Sequence, residues 1–145
     1  MKISTKGRYG LRAVIDIAIH GENEPVPLSD IAVRQGVSMG YLEQLIAKLK
    51  RANIVTSVRG AKGGYSLAAP MDRISVGDIL RALEGDLSPV KCSEVTENGV
   101  PCEGSEQCIS KVVWKRISDS INHAVDNLML SDLLADTDSA ENTGC

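Results

Sequence analysis

Two short apolar-periodic segments separated by a glycine constrain this chain more than anything else in it. LSDIAVRQG places Leu28, Ile31 and Ala32 on one face of a short helix that Gly36 stops. SMGYLEQLIAKLKRA follows at once, with Ser38 as a fitting cap and Leu42, Leu45, Ile46 and Leu49 along one face. Two helices joined by a tight turn, the second basic at its end, form a helix-turn-helix signature. An earlier helix begins at Ser4 or Thr5. It carries Leu11, Val14, Ile15 and Ala18 on one face and ends at Gly21, before the loop ENEPVP.

After the second helix, IVTSV (54–58) is β-branched and YSLAA (65–69) can pair with it across RGAKGG. The result is a small hairpin, a wing. Gly60, Gly63 and Gly64 can take positive φ and bring backbone close to a phosphate or a groove floor. Arg59 and Lys62 stand where a wing would reach DNA. The fold class is therefore mainly α with a small β-hairpin wing: a winged helix-turn-helix over residues 1–85.

Charge agrees with that reading. The chain carries a net −3, yet residues 1–65 hold ten Lys/Arg against five Asp/Glu, and the remainder six against fourteen. A basic front half on an acidic chain is the footprint of a nucleic-acid-binding face. At the end of the second motif helix, Ser38 and Tyr41 can bond phosphate or base edges. Gln44 suits a bidentate contact to adenine, and Glu43 can accept from cytosine while repelling phosphate. Arg59 suits the minor groove, and Lys2, Lys6, Arg8 and Lys62 suit the backbone.

KCSEVTENGVPCEGSEQC gathers Cys92, Cys102 and Cys108 in a hydrophilic stretch, spaced C-x9-C-x5-C. That spacing does not match the paired C-x2-C knuckles of structural zinc. Iron–sulfur, zinc and metal-free redox thiols all remain open from the residues alone. The fourth cysteine, Cys145, ends an acidic tail over 134–145 of disordered composition and reads as an incidental thiol.

Two further elements flank the cysteines. SVGDILRALEG has the capping pattern Ser75-x-x-Asp78, with Ile79, Leu80 and Leu83 directed at the winged domain. Beyond the cysteine loop (86–108), Ile109, Val113, Ile117, Ile121, Ala124 and Leu128 recur at helical spacing. A single helix over 109–133 is expected, its apolar stripe forming the seam of a homodimer. Such a dimer would place two reading heads about 34 Å apart on double-stranded DNA with an imperfect palindromic operator.

KISTKGRYGLRA, YLEQLIAKLKRANIVTSVRGAKGGYSLA and SVGDILRALEG together resemble the iron–sulfur cluster regulator family of IscR, NsrR and CymR, from Met1 to about Ser131. The resemblance implies a dimeric bacterial transcription factor controlling iron–sulfur cluster biogenesis genes. Ser38, Tyr41, Glu43, Gln44 and Arg59 would face DNA, with Gly60 close by in the wing. A cluster of the 2Fe-2S type would sit on Cys92, Cys102 and Cys108. An alternative within the family is a nitric-oxide or thiol-redox-sensing repressor, and outside it an iron–sulfur assembly factor. Three departures stand out. The first cysteine interval is longer than the family's usual five, Lys111 occupies the place of a ligating histidine, and Gly40 replaces a second serine.

No C-x-x-C pair, phosphate-binding loop or nucleophile–base constellation appears, so an enzyme is not expected. No stretch approaches the ~18 apolar residues of a membrane span and the N-terminus lacks a signal-peptide run, so a cytoplasmic protein with no membrane partner is expected.

Overall fold

The computed structural model describes residues 3–90 and 108–137. Helix α1 (Thr5–His20) starts at Ser4, which makes no side-chain capping bond of its own. A carboxylate from elsewhere takes that role. Glu84 Oε1 accepts from the Ser4 N–H and the Gly7 N–H, both at 3.0 Å, and from the Ser4 hydroxyl. The acid thus satisfies otherwise unpaired N–H groups and sits at the positive end of the helix dipole. Gly7 and Gly10 allow this approach: a Cβ on Gly10 would lie 2.2 Å from Leu83 Cδ1, and one on Gly7 2.5 Å from Glu84 Oε1. The glycines of STKGRYG are therefore a packing requirement.

Helices α2 (Leu28–Gln35) and α3 (Met39–Arg51) form the helix-turn-helix. Gly36 closes α2 in the left-handed region at φ 64°, and the Val37 N–H reaches back to Ala32 O at 3.1 Å. Ser38 caps α3 through Oγ, which accepts from the Tyr41 N–H at 3.2 Å. Strands β1 (Val55–Val58) and β2 (Gly64–Leu67) pair antiparallel, with Val55 opposite Leu67 and Val58 opposite Gly64. Val26 adds a bridge to β2, exchanging two backbone bonds with Tyr65 at 2.9 and 2.8 Å. Of the three wing glycines expected at positive φ, Gly60 and Gly64 adopt it, at 119° and 157°, and Gly63 does not.

A single-turn 3₁₀ helix (Met71–Arg73) leads into α4 (Val76–Glu84). The expected capping box is present. Ser75 Oγ accepts from the Asp78 N–H at 3.0 Å, and Asp78 Oδ2 accepts from the Ser75 N–H at 3.2 Å. All four apolar positions expected on α3 are buried, and Ile31, Ile79 and Leu83 join them in one aliphatic core with Val14, Ile17 and Val55. The chain has no phenylalanine, so branched aliphatics supply nearly all of this burial.

The long C-terminal helix differs from expectation. It is two helices, α5 (Ser110–Asp126) and α6 (Leu130–Thr137), so 109–133 is not continuous and residues 134–137 belong to α6 rather than to a disordered tail. Backbone pairing causes the break. The Val76 N–H donates to Leu128 O at 2.8 Å and the Leu130 N–H to Ile74 O at 3.0 Å, stitching 128–130 alongside 74–76. Asn127 Nδ2 donates to His123 O at 2.7 Å, and Asp132 Oδ2 accepts from the Met129 N–H at 3.0 Å. Leu130, fully buried, anchors the return to the core.

Gly64→Ala tests the wing's seating, because its Cβ would lie 2.4 Å from Val26 O and 2.5 Å from Val26 C. Backbone cannot give way as a side-chain tip can. Urea unfolding is expected to show a loss of about 1–3 kcal/mol.

Candidate nucleic-acid interface

The N-terminal turn of α3 is the exposed end of the helix-turn-helix. Ser38, Glu43 and Gln44 are exposed, as are Arg59, Gly60 and Lys62 at the wing tip and Lys6 and Arg8 on α1. Lys2 lies outside the described residues. Gly40 is exposed, and a Cβ there would meet no atom within 4 Å. Tyr41 departs from the pattern. It is half-buried, its hydroxyl donates to Thr5 Oγ1 at 3.4 Å, and its ring meets Tyr9 edge to face with centroids 6.2 Å apart. Tyr41 therefore packs α3 against α1 as well as bordering the exposed turn.

That contact begins a polar seam along α1. Arg12 lies over the Tyr9 ring, its guanidinium carbon 5.3 Å from the centroid, and Nε donates to Gln35 Oε1 at 2.9 Å. Gln35 Nε2 donates to Asp16 Oδ2 at 2.8 Å. Arg34 donates to the same carboxylate through Nη2 at 2.7 Å and Nε at 3.0 Å. Asp16 is only 3% exposed, so its charge depends on these three donors. The hydrogen bond to Asp16 raises the Arg34 pKa above the ordinary guanidinium value. Sequence reasoning missed Tyr9, Arg12, Asp16 and Gln35. The signal was available: Thr5, Tyr9, Arg12 and Asp16 fall at intervals of four, three and four, a second stripe on the same helix.

On the opposite side, α4 holds α5. Arg81 donates to both Asp126 oxygens at 2.7 and 3.0 Å and to Asn122 Oδ1 at 2.7 Å. The hydroxyls of Ser88 and Ser118 are 3.2 Å apart, and Val76, Leu80 and Leu87 pack with Ile121 and Val125. Ile121 was expected on an intermolecular stripe; instead it contributes to this intramolecular cluster. Ile109, Val113 and Ile117 remain exposed, at 89%, 52% and 38%.

Cys108 precedes α5 and is exposed. Its Sγ is 3.0 Å from Ser110 Oγ. That hydrogen bond, with the Lys111 backbone N–H, lowers the thiol pKa from its ordinary value. A sulfur with a stabilised thiolate at a helix start suits ligation of a soft metal centre. Cys92, Cys102 and Cys145 lie outside the described residues. Among the described residues no group of three or more His, Cys, Asp or Glu gathers to hold a metal ion.

A family model described as Rrf2, iron-dependent transcriptional regulator, matches residues 3–136. The chain belongs to the Rrf2 family. Among its Rrf2 relatives, IscR of Vibrio vulnificus strain YJ016 is 39% identical over 141 residues, spanning 97% of this chain and 82% of that protein. IscR of Vibrio cholerae is 38% identical over the same share of this chain and 79% of its own. The solved structure of T. potens IscR superimposes with a TM-score of 0.77 at 42% identity, covering 99% of this chain and 94% of that one. CymR, named as the global cysteine regulator of B. subtilis, gives 0.73 at 42% identity over 93% and 97%. The resemblance noted in the sequence is borne out, and the fold is the winged helix of Rrf2 transcriptional regulators. Such regulators bind DNA. Among the described residues no helix is long and apolar enough to cross a membrane.

The Arg81 pair holds the Asp126 carboxyl below its ordinary pKa. A depressed carboxylate adds stability above its unfolded-state pKa, and that contribution is lost as pH falls through the folded value. Urea midpoints measured from pH 6 down to pH 3 are therefore expected to drop less steeply for Asp126→Asn than for the parent chain.

Proposed function

We propose that this chain is a homodimeric, cytoplasmic transcription regulator that responds to iron–sulfur cluster status and controls cluster-biogenesis promoters. Ser38, Tyr41, Glu43, Gln44 and Arg59 read an imperfect palindrome. Gly60 lets the wing approach the groove, and Lys2, Lys6, Arg8 and Lys62 hold phosphates. Cys92, Cys102 and Cys108 supply thiolates to a 2Fe-2S cluster, whose gain or loss provides the signal. One observation carries the reading: the exposed, thiolate-stabilised Cys108 stands at the mouth of α5, and α5 is clamped to α4, whose Glu84 caps the helix bearing Lys6 and Arg8. A change at the cysteines thus has a continuous packed route to the DNA-facing turn.

The homodimer reading is supported by Ile109, Val113 and Ile117, which are left exposed on α5 and just before it. A second copy would cover them and set the two heads about one DNA turn apart. A second sensing chemistry, thiol oxidation without metal, is favoured by the exposure and lowered pKa of Cys108.

Anaerobic purification with a visible absorption spectrum and iron and sulfide counts separates these readings. The cluster reading predicts a coloured protein with matched iron and sulfide. A colourless protein containing zinc overturns it, and a metal-free protein whose DNA binding responds to oxidant supports thiol sensing. With the cluster present, replacing Cys92, Cys102 and Cys108 together by Ala is expected to shift affinity about 10-fold at one or more operators.

A further inference from the structure

Arg12 is not among the residues that sequence reasoning or the family resemblance assigns to DNA. Its setting is nevertheless that of a built anion ligand. Nε is committed to Gln35 Oε1 at 2.9 Å, and one face of the guanidinium lies on Tyr9 at 5.3 Å. These two contacts fix the plane and leave the terminal amines without an ion-pair partner among the described residues. Arg34, which reaches the same seam from α2, has its charge consumed by Asp16; Arg12 does not. Gln35 immediately precedes the turn into α3, and Tyr9 touches Tyr41 in the first turn of α3. The two anchors of Arg12 therefore lie at either side of the helix-turn-helix elbow. Lys6 and Arg8, both exposed, share its stretch of α1.

We propose that Arg12 is a DNA-phosphate ligand, pre-oriented by Gln35 and Tyr9 to grip the backbone beside the elbow with its two terminal amines. A guanidinium presents two parallel donors that match a phosphate edge, and holding it in place beforehand spares the ordering cost of binding. Because it grips backbone, Arg12 adds affinity at every sequence and discriminates between none. Gln35 is a positioning residue: anchored by its amide, which donates to Asp16, it orients Arg12 through Oε1 and touches no nucleic acid itself. This assignment rests on the DNA reading of the elbow given above.

The test uses the full chain and a duplex recovered by selection on the parent protein from a random-sequence pool. Binding is measured over a salt series, beside a scrambled duplex. Arg12→Met is expected to weaken both duplexes about equally, by about 10-fold at moderate salt, and to make the log-affinity against log-salt slope shallower by about 0.9. Arg12→Lys retains the slope and loses part of the affinity. Gln35→Met weakens binding too, and adding it to Arg12→Met makes the salt slope no shallower, since the phosphate contact is already gone. A purely structural Arg12 would leave the slope at its parent value in Arg12→Met, and that result overturns the proposal. If Arg12→Met fails to fold, the Lys and Gln35 variants decide: full affinity in both overturns it. A parent chain that enriches no duplex at all fails at the DNA reading itself, and the assignment falls with it.

Discussion

One buried carboxylate holds the reading head together. Asp16 sits at 3% exposure on α1, and burying a charge is unfavourable unless donors replace its water. Arg34 and Gln35 provide them from the last turn of α2, just before Gly36 turns the chain into α3. The pairing therefore fixes the place from which the recognition helix departs. Apolar packing of Ile31, Leu42 and Leu45 supplies burial but little directionality; hydrogen bonds to a carboxylate supply angle and register. The seam continues through Arg12 and Tyr9 to Tyr41, so both ends of the elbow are referenced to one helix.

That same helix is gripped from its other side. Glu84 caps its N-terminus, and Gly7 and Gly10 let α4 settle against it. Helix α4 in turn holds α5 through Arg81 and through the strand-like pairing of 128–130 with 74–76. Helix α1 is thus the common reference for two units. One holds the helix-turn-helix and the wing; the other carries Cys108 and an uncovered apolar stripe. In the function proposed above, a change at the cysteines has few joints to cross before it reaches the helix-turn-helix.

Much of this was available in the amino-acid string. Leu42, Leu45, Ile46 and Leu49 are buried as their spacing indicates, Gly36 and Ser38 punctuate the motif as expected, and the Ser75/Asp78 box is formed. Local rules of period and capping suffice for these. What escaped was long-range polar pairing. Nothing near Asp16 in sequence announces Arg34 as its partner, and nothing near Glu84 announces Ser4, eighty residues away. The break at Asn127 escaped for a related reason: the apolar repeat runs through it, and the competing backbone partners at 74–76 are remote in the chain. The packing partners of Tyr41 escaped as well, because Thr5 and Tyr9 belong to a different helix.

The claim that Asp16 organises the head is tested most directly by a double-mutant cycle with Arg34, read out as unfolding free energy in urea. Asp16→Ala is expected to lose about 3 kcal/mol, because Arg34 and Gln35 lose their common acceptor and α1 separates from α2. Arg34→Ala in the Asp16→Ala background should then change stability by less than about 0.5 kcal/mol, since no pair remains to break. Additive losses, or a loss below about 0.5 kcal/mol for Asp16→Ala itself, would contradict the account.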